Sequence, residues 1–520
     1  MSDQFVQNRG RDMIQDHGGA GQAAGDGWRG LTRRSLWASG VKSLALVAGA
    51  AAGLVRFLSG RDWPVGGIVA VCAAAAVLIV AAVLVYDLLR LRATRWRLTP
   101  DRLELVSGIT TRQHRSIPRD RVRSVDLRAD PICRAFGLTV VKVGTGEHAG
   151  DGTEVVLDPM TRHEAEGLRR TLLREEGPAA GEDGPLAELR WSWIRYAPLS
   201  VWTFTGAAVV LGVLYKALEP LGLKRFATRL ATGVWEWVVA QPMLAIPLLL
   251  AANLLVGVLG SALLFAESWG RYRLEREPGR LRLRRGLLTT RSLTMEERRL
   301  RGVEISEPLL LRLAGGARLK AIATGLGKAS GNETEDVAAL TPPVPRALAT
   351  RLAAAIAGAG VPALTAHPAA ARRRRLIRAL VTAAILAAGA AIATALAPWG
   401  WVRAWAWVVP VVALFAGLWA AVAGAASLGH ALGGRHLVGR KGAVVRRTVA
   451  LDRRGVSGWT ITESYFQRRA GLLTVSATTA AGKGHYDVVD VGRGDGLELA
   501  AAAVPGLLEP FLMREKQGAA

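Results

Sequence analysis

The sequence predicts an α+β multi-pass membrane protein. Six transmembrane helices form three hairpins, and each hairpin is followed by a small β-rich domain closed by a helix. Three observations predict this fold class. Six stretches are apolar over the length of a bilayer crossing, they come in pairs, and the polar block after each pair repeats one order of strands, glycines and arginines.

Crossing the hydrocarbon core takes about 20 mostly apolar residues. The stretches that qualify are Leu36 to Leu58, Trp63 to Leu89, Pro198 to Leu218, Pro242 to Phe265, Leu376 to Ala397 and Ala404 to Leu428. The first carries Lys42, which must snorkel. The second has no charge between Gly66 and Tyr86. Trp63, Trp191, Trp193, Trp235, Trp237, Trp269, Trp399 and Trp401 lie near the expected interfaces, where an amphipathic ring is favoured. No span places an ionisable residue at mid-depth, which argues against an ion or proton pathway.

Each pair returns the chain to the side it left, so the N-terminus and the three polar blocks share one side. Arg33 and Arg34, then Arg90, Arg92, Arg95 and Arg97, then Arg372, Arg373, Arg374 and Arg375, then Arg435, Arg440 and Lys441 all flank spans on that side. The positive-inside rule makes it cytoplasmic, with the spans in the cell membrane. Lys224, Arg225 and Arg229, in the longer link 219–234 of the middle pair, weigh the other way but are outnumbered. The net charge of +25 and pI of about 11.2 fit this asymmetry. No nucleic-acid motif accompanies the charge, so nucleic acid is not an expected partner.

The layout is a disordered cytoplasmic tail (1–35), then hairpin 36–89 with domain 90–176 and linker 177–197. Hairpin 198–268 with domain 269–358 and a basic linker 359–375 follow, then hairpin 376–430 with domain 431–515. The repeat is read residue by residue. Arg95-Trp96-Arg97-Leu98, Leu103-Glu104-Leu105 and Gly108-Ile109-Thr110-Thr111-Arg112 are matched by Arg271-Tyr272-Arg273-Leu274, Leu281-Arg282-Leu283 and Gly286-Leu287-Leu288-Thr289-Thr290-Arg291. The third copy offers His436-Leu437-Val438 and Gly442-Ala443-Val444-Val445-Arg446. An Arg-x-x-Gly step then recurs, ending at Gly137, Gly315 and Gly471, where glycine's access to positive φ suits a repeated turn. Helical patterns close the copies over Thr161 to Arg174, Val344 to Ala357 and Leu497 to Leu512, the last interrupted by Pro505.

In this order the motifs resemble the bacterial pleckstrin-homology-like (PH-like) membrane proteins of the YdbS/YdbT type, the three-copy layout being similar to the YdbT arrangement. The resemblance covers nearly all of residues 36–515 and is weaker in the third copy, where His436 stands for the first aromatic. It implies that each β-rich domain is a partly open PH-like barrel or sandwich with a C-terminal helix. It does not name a ligand.

No catalytic constellation, cofactor motif or metal-ligand spacing is present. Gly144-Thr145-Gly146 lacks the ending of a phosphate loop and reads as a hairpin turn, the eight histidines form no HExxH helix, and Cys72 and Cys133 read as packing residues. Glu296-Glu297 beside Arg298-Arg299 reads as a solvated charged face. The function expected is that of a non-enzymatic, membrane-anchored scaffold or binding protein. Its PH-like domains would bind a protein partner or anionic lipid headgroups, the latter through Arg90, Arg92, Arg95, Arg97 and Arg372 to Arg375. The same arginines are equally well read as topology signals alone. The alternative function is an accessory component of a transporter or export/stress-resistance system. The topology is tested with cysteines at Thr153, Asn332 and Lys483 in a chain lacking Cys72 and Cys133. All three should label in intact cells only with permeant reagents, and impermeant labelling of any one would break the parity argument.

Overall fold

The computed structural model describes residues 27–508 apart from 62, 123, 145–153, 173–183, 200–202, 204–211, 213–215, 217–223, 325–337, 359, 361, 397–399 and 401–404. Five helices within these bounds are long and apolar enough to cross a membrane: Ser35–Ser59, Val65–Ala93, Pro242–Trp269, Ala369–Leu396 and Val408–Ala426. The expected third span, Pro198 to Leu218, and the expected turn after Gly144 lie almost wholly outside the described residues. The helix Val65–Ala93 buries none of its most apolar stretch against protein. A helix apolar on every face and uncovered needs an apolar solvent.

Two segments read as links are helical. The helix that carries the fifth span starts at Ala369, after Pro368, so Arg372 to Arg375 belong to its first turns and not to a linker. Alanine and arginine are both strong helix formers. In the middle link, Lys224–Ala240 is a helix that stops at Gln241 before Pro242 opens the next. Its Phe226, Leu230 and Val234 recur four apart and stay exposed, so these apolar side chains are uncovered.

Each β-rich domain is two half-sheets and a closing helix. In the first unit β1 (Arg29–Gly30), β2 (Arg95–Leu98), β3 (Arg102–Ser107) and β4 (Gln113–Pro118) precede β5 (Ser124–Ala129), β6 (Leu138–Gly144), β7 (Glu154–Thr161) and the helix Arg162–Leu172. The second has β8 (Ala187–Glu188), β9 (Arg273–Glu277), β10 (Arg280–Arg285) and β11 (Thr290–Glu296). These are followed by β12 (Leu300–Pro308), β13 (Gly316–Ala323), β14 (Val344–Pro345) and the helix Arg346–Ala357. The third has β15 (Gly429–Gly433), β16 (His436–Lys441) and β17 (Val445–Asp452). Then come β18 (Gly458–Thr462), β19 (Leu472–Thr478), β20 (His485–Gly492) and the helix Arg493–Ala503, which ends before Pro505.

The units share sheets. β5 of the first pairs antiparallel with β11 of the second, and β12 of the second with β17 of the third. Among the described residues the result is four sheets: β1-β2-β3-β4, then β7-β6-β5-β11-β10-β9-β8, then β14-β13-β12-β17-β16-β15, then β18-β19-β20. Each unit's core lies between half of one sheet and half of the next, capped by its closing helix. In the first unit Trp96, Leu103, Val125, Val141, Leu157, Ala165 and Leu168 meet there.

The register corrects the repeat. Gly108, Gly286 and Gly442 have φ of 115°, 103° and 112°, and an added Cβ would sit 2.0, 1.9 and 1.9 Å from a carbonyl oxygen, so the three turns are equivalent. Three residues before each glycine, Leu105 pairs with Trp96, Leu283 with Leu274 and Gly439 with His430. Trp96 therefore corresponds to Leu274 and His430. Tyr272 lies two residues earlier, and His436 belongs to the next strand. A slip of two keeps every side chain on its face, so an alternating pattern alone does not reveal it. Gly137, Gly315 and Gly471 have φ of 67°, 72° and 64°. Their carbonyls accept the N–H of Arg162, Arg346 and Arg493, the first residues of the closing helices, at 3.0, 2.9 and 3.0 Å.

At the second joint the backbones meet at Gly302, where a Cβ would lie 2.3 Å from the Ala450 oxygen of β17. Gly302→Val should therefore part β12 from β17. A disulfide between cysteines at Ile305 and Thr448, opposite residues of the joint, should form readily in the parent chain and fall at least fivefold in the variant.

Candidate functional site

Ion pairs hold the membrane hairpins of the first and third units, and aromatic rings hold that of the second. In the first, Lys42 Nζ lies 2.7 Å from Asp130 Oδ2, and Ala38 packs on Cys133 and Leu138. Asp130 also caps the short helix Pro131–Ala135 through the Cys133 N–H at 2.6 Å. Burial raises its carboxyl, but Lys42 and the hydrogen bonds from Cys133 together outweigh that and hold it below the usual carboxylate range. Burial pushes the Cys133 thiol up to about 11, which makes it an inert packing group. Arg90 reaches Asp158 in β7 at 3.1 Å.

In the third unit Asp490 of β20 is buried with φ of 60°. Its carboxylate accepts from Arg374, from Arg375 at 3.1 Å and from Gln467 Nε2 at 3.1 Å. Asp158 and Asp490 lie in the same part of the last strand, where β7 and β20 each slip register against their neighbour. Such a bulge re-aims a side chain out of the ladder, here toward the hairpin. His367 contacts the Asp490 carbonyl at 3.1 Å and His430 at 3.1 Å, and burial together with His430 holds it down at about 4. The second unit uses rings instead. Tyr272 stands edge-on to Trp269 and Trp193, with centroids 5.6 and 6.3 Å apart, and donates to the Leu340 carbonyl at 2.9 Å.

The arginines singled out in the sequence divide into two groups. Arg90, Arg374 and Arg375 are engaged in these clasps, and Arg97 pairs with Glu104 and lies 4.7 Å over the Trp28 ring. Arg92, Arg95, Arg372 and Arg373 are exposed and make no ion pair among the described residues. Of the acid pair, Glu296 is held by Arg298 and Arg299 at 2.7 and 2.6 Å, and Glu297 by Arg276.

A strongly basic surface lies at the first joint, where β5 meets β11. A cleft of about 520 Å³ there is lined by Arg134, Arg162, Arg271, Arg273, Arg284, Arg285 and Arg291 against a single acid, Glu166. Glu166 takes Arg282 at 2.9 Å and Arg169 at 3.0 Å, with Arg284 4.0 Å away. Burial raises its carboxyl, and the three arginines more than reverse this. Burial, with Arg282 beside it, pulls the Arg284 guanidinium down from its ordinary value. Arg291 is matched by Asp126 at 3.2 Å and Arg273 by Glu275 at 2.8 Å. Arg162 and Arg271 are exposed and have no acid partner among the described residues. Arg271 is two residues past Trp269, the end of a membrane helix, so the rim lies within roughly 7 Å of that end. Among the described residues no group of three His, Cys, Asp or Glu could hold a metal ion.

The second joint has the same register but another solution. Glu307, 2% exposed, stands opposite Arg446 and accepts from it at 2.6 and 2.7 Å, with Arg346 at 3.2 Å. At the first joint the residue in that register is Ala129, opposite Thr290. Arg346 corresponds to Arg162, since each opens its closing helix on the repeated glycine's carbonyl. The carboxylate that neutralises the second joint is therefore absent from the first. The sequence reading missed this cleft because its arginines are scattered from residue 134 to 291 and converge only through β5–β11 pairing.

A family model described as the bacterial PH domain matches residues 44–176, 223–356 and 369–503. The chain belongs to the bacterial PH domain family. No curated protein and no solved structure matches it. The three bacterial PH domain copies follow the three-copy layout read from the sequence, and each match takes in hairpin residues as well as the β-rich domain. PH-like domains are in general non-catalytic binding modules, which suggests a binding or scaffold role for this one.

The Asp490 clasp is tested by Asp490→Ala, which leaves Arg374 and Arg375 half-buried without their carboxylate. Loss of about 3 kcal/mol is expected. Thermal unfolding of the full chain, followed by protease cleavage of the third unit, should show it, and Arg372→Ala should leave the transition in place.

Proposed function

We propose that this protein is a non-enzymatic membrane scaffold with six spans in three hairpins. Its bacterial PH domains face the cytoplasm, and the cleft at the first joint holds the phosphate of an anionic phospholipid headgroup. The observation that carries the reading is the exchange of Glu307 for Ala129 at equivalent joints. One cluster of arginines supplies its own anion, and the other is left with guanidinium groups facing an open cleft beside a membrane helix. A guanidinium pairs with phosphate oxygens in a two-pronged, charge-assisted geometry. Exposed Arg92, Arg95, Arg372 and Arg373 add attraction to an anionic leaflet of about 1 kcal/mol each near the surface. The juxtamembrane arginine bias supports the cytoplasmic orientation.

The test is lipid retention. Full-length protein is purified from vesicles of phosphatidylcholine with one-fifth phosphatidylglycerol, and bound lipid is counted by mass spectrometry. The parent chain should retain the anionic lipid above its bulk fraction. Ala129→Glu, which supplies the carboxylate found at the second joint, and Arg162→Gln with Arg271→Gln should each lower that enrichment at least fivefold. Adding inorganic phosphate to detergent-purified protein separates a lipid site from a free-phosphate site, because only the latter would be filled without lipid. Enrichment unchanged in both variants would dismiss the cleft as the site.

A further inference from the structure

The two internal joints are built to one plan. Ser124 faces Met295 and Gly302 faces Leu451, Asp126 faces Leu293 and Glu304 faces Val449, Ala129 faces Thr290 and Glu307 faces Arg446. In each case the last strand of one unit's first half-sheet joins the first strand of the preceding unit's second half-sheet. The plan leaves two strands over. β4 is the first unit's counterpart of β11 and β17, and β18 is the third unit's counterpart of β5 and β12. Among the described residues neither has a partner on the side that the joints use.

The two free edges are complementary. Applying the register of the joints to them sets Ile117 opposite Gly458, Gln113 opposite Thr462 and Arg112 opposite Glu463. Arg112 then takes the place of Arg446, and Glu463 that of Glu307. Glu463 is already held by Arg493 at 3.3 Å, as Glu307 is held by Arg346 at 3.2 Å. The β18 end thus has two of the three members of the Arg346–Glu307–Arg446 cluster in place. Gly458 stands where Gly302 stands. Gly302 is required by the backbone that approaches it, whereas the nearest atom to a Cβ on Gly458 is 4.0 Å away. A close approach is provided for at Gly458, and nothing among the described residues uses it.

We infer that β18 of one chain pairs with β4 of a second copy, repeating the internal joint between molecules and building a head-to-tail assembly in the plane of the membrane. A heterologous contact of this kind continues as a ring or an open row until it closes. Exposed strand edges are otherwise a liability that monomers blunt, and β18 carries neither proline nor lysine.

The experiment uses the full chain in native membranes, without Cys72 and Cys133, and with cysteines at Gln113 and Thr462. Directly opposite residues lie about 4.5–5.5 Å apart between Cβ atoms, within reach of a disulfide. Oxidation should give a ladder of covalent dimers and higher multiples that neither single-cysteine chain forms. Two differently tagged copies should appear in the same band. Gly458→Val should lower the ladder at least tenfold while leaving the thermal transition nearly unchanged, because inside one chain the added Cβ comes no nearer than 4.0 Å to Thr478. Arg112→Ala should lower it about threefold or more. No ladder, a bond formed only within one chain, or a ladder indifferent to Gly458→Val would each overturn the inference.

Discussion

Backbone hydrogen bonding across the joints is the constraint on which the rest of this molecule depends. A strand at a sheet edge presents a row of N–H and C=O groups that must find partners or water. Here β5 and β12 find them in the next unit's β11 and β17. The cores follow the sheets across these boundaries: Val438 and Ala450 of the third unit pack in the second unit's cluster, and Ile322 of the second in the third's. The bacterial PH domains are therefore neither independent nor merely tethered, and their spacing and orientation are set by a ladder of main-chain bonds.

That rigidity gives the hairpin clasps their meaning. Lys42 with Asp130, Arg90 with Asp158, and Arg374 and Arg375 with Asp490 each tie a membrane helix to a β-rich domain. The second unit does the same with Trp193, Trp269 and Tyr272. An aspartate at a strand bulge can be replaced by aromatic packing because the task is mechanical. Each helix end must be held at a fixed height against a sheet that already continues into its neighbours. Ion pairs of this kind are costly to desolvate. They are retained here at the one level where arginine is also favoured by the membrane interface.

The contrast between the joints shows how one geometry serves two ends. With Glu307 in place, Arg346 and Arg446 form a closed, neutralised seam. With Ala129 in its place, the equivalent seam opens into a cleft where arginine outnumbers acid. In the shared register the Glu307–Arg446 pair of the second joint is replaced by Ala129 and Thr290 at the first, which leaves the first joint without a carboxylate at that position.

The sequence by itself determined what local composition and short-range spacing can carry. Apolar runs marked the helices that can cross a membrane, the recurring glycines marked three turns of left-handed backbone, and the recurring order of motifs marked three bacterial PH domains. It could not place Trp96 against Leu274 instead of Tyr272, because a slip of two leaves an alternating pattern intact. It could not tell that Arg374 and Arg375 are bound to Asp490, 116 and 115 residues away, while Arg372 and Arg373, in the same run, stay exposed. Nor could it show that Arg291 would meet Asp126 across 165 residues. Strand pairing between units is decided by main-chain groups that every residue shares. Which edge joins which, and which arginines gather there, was therefore decided only when the three units packed together.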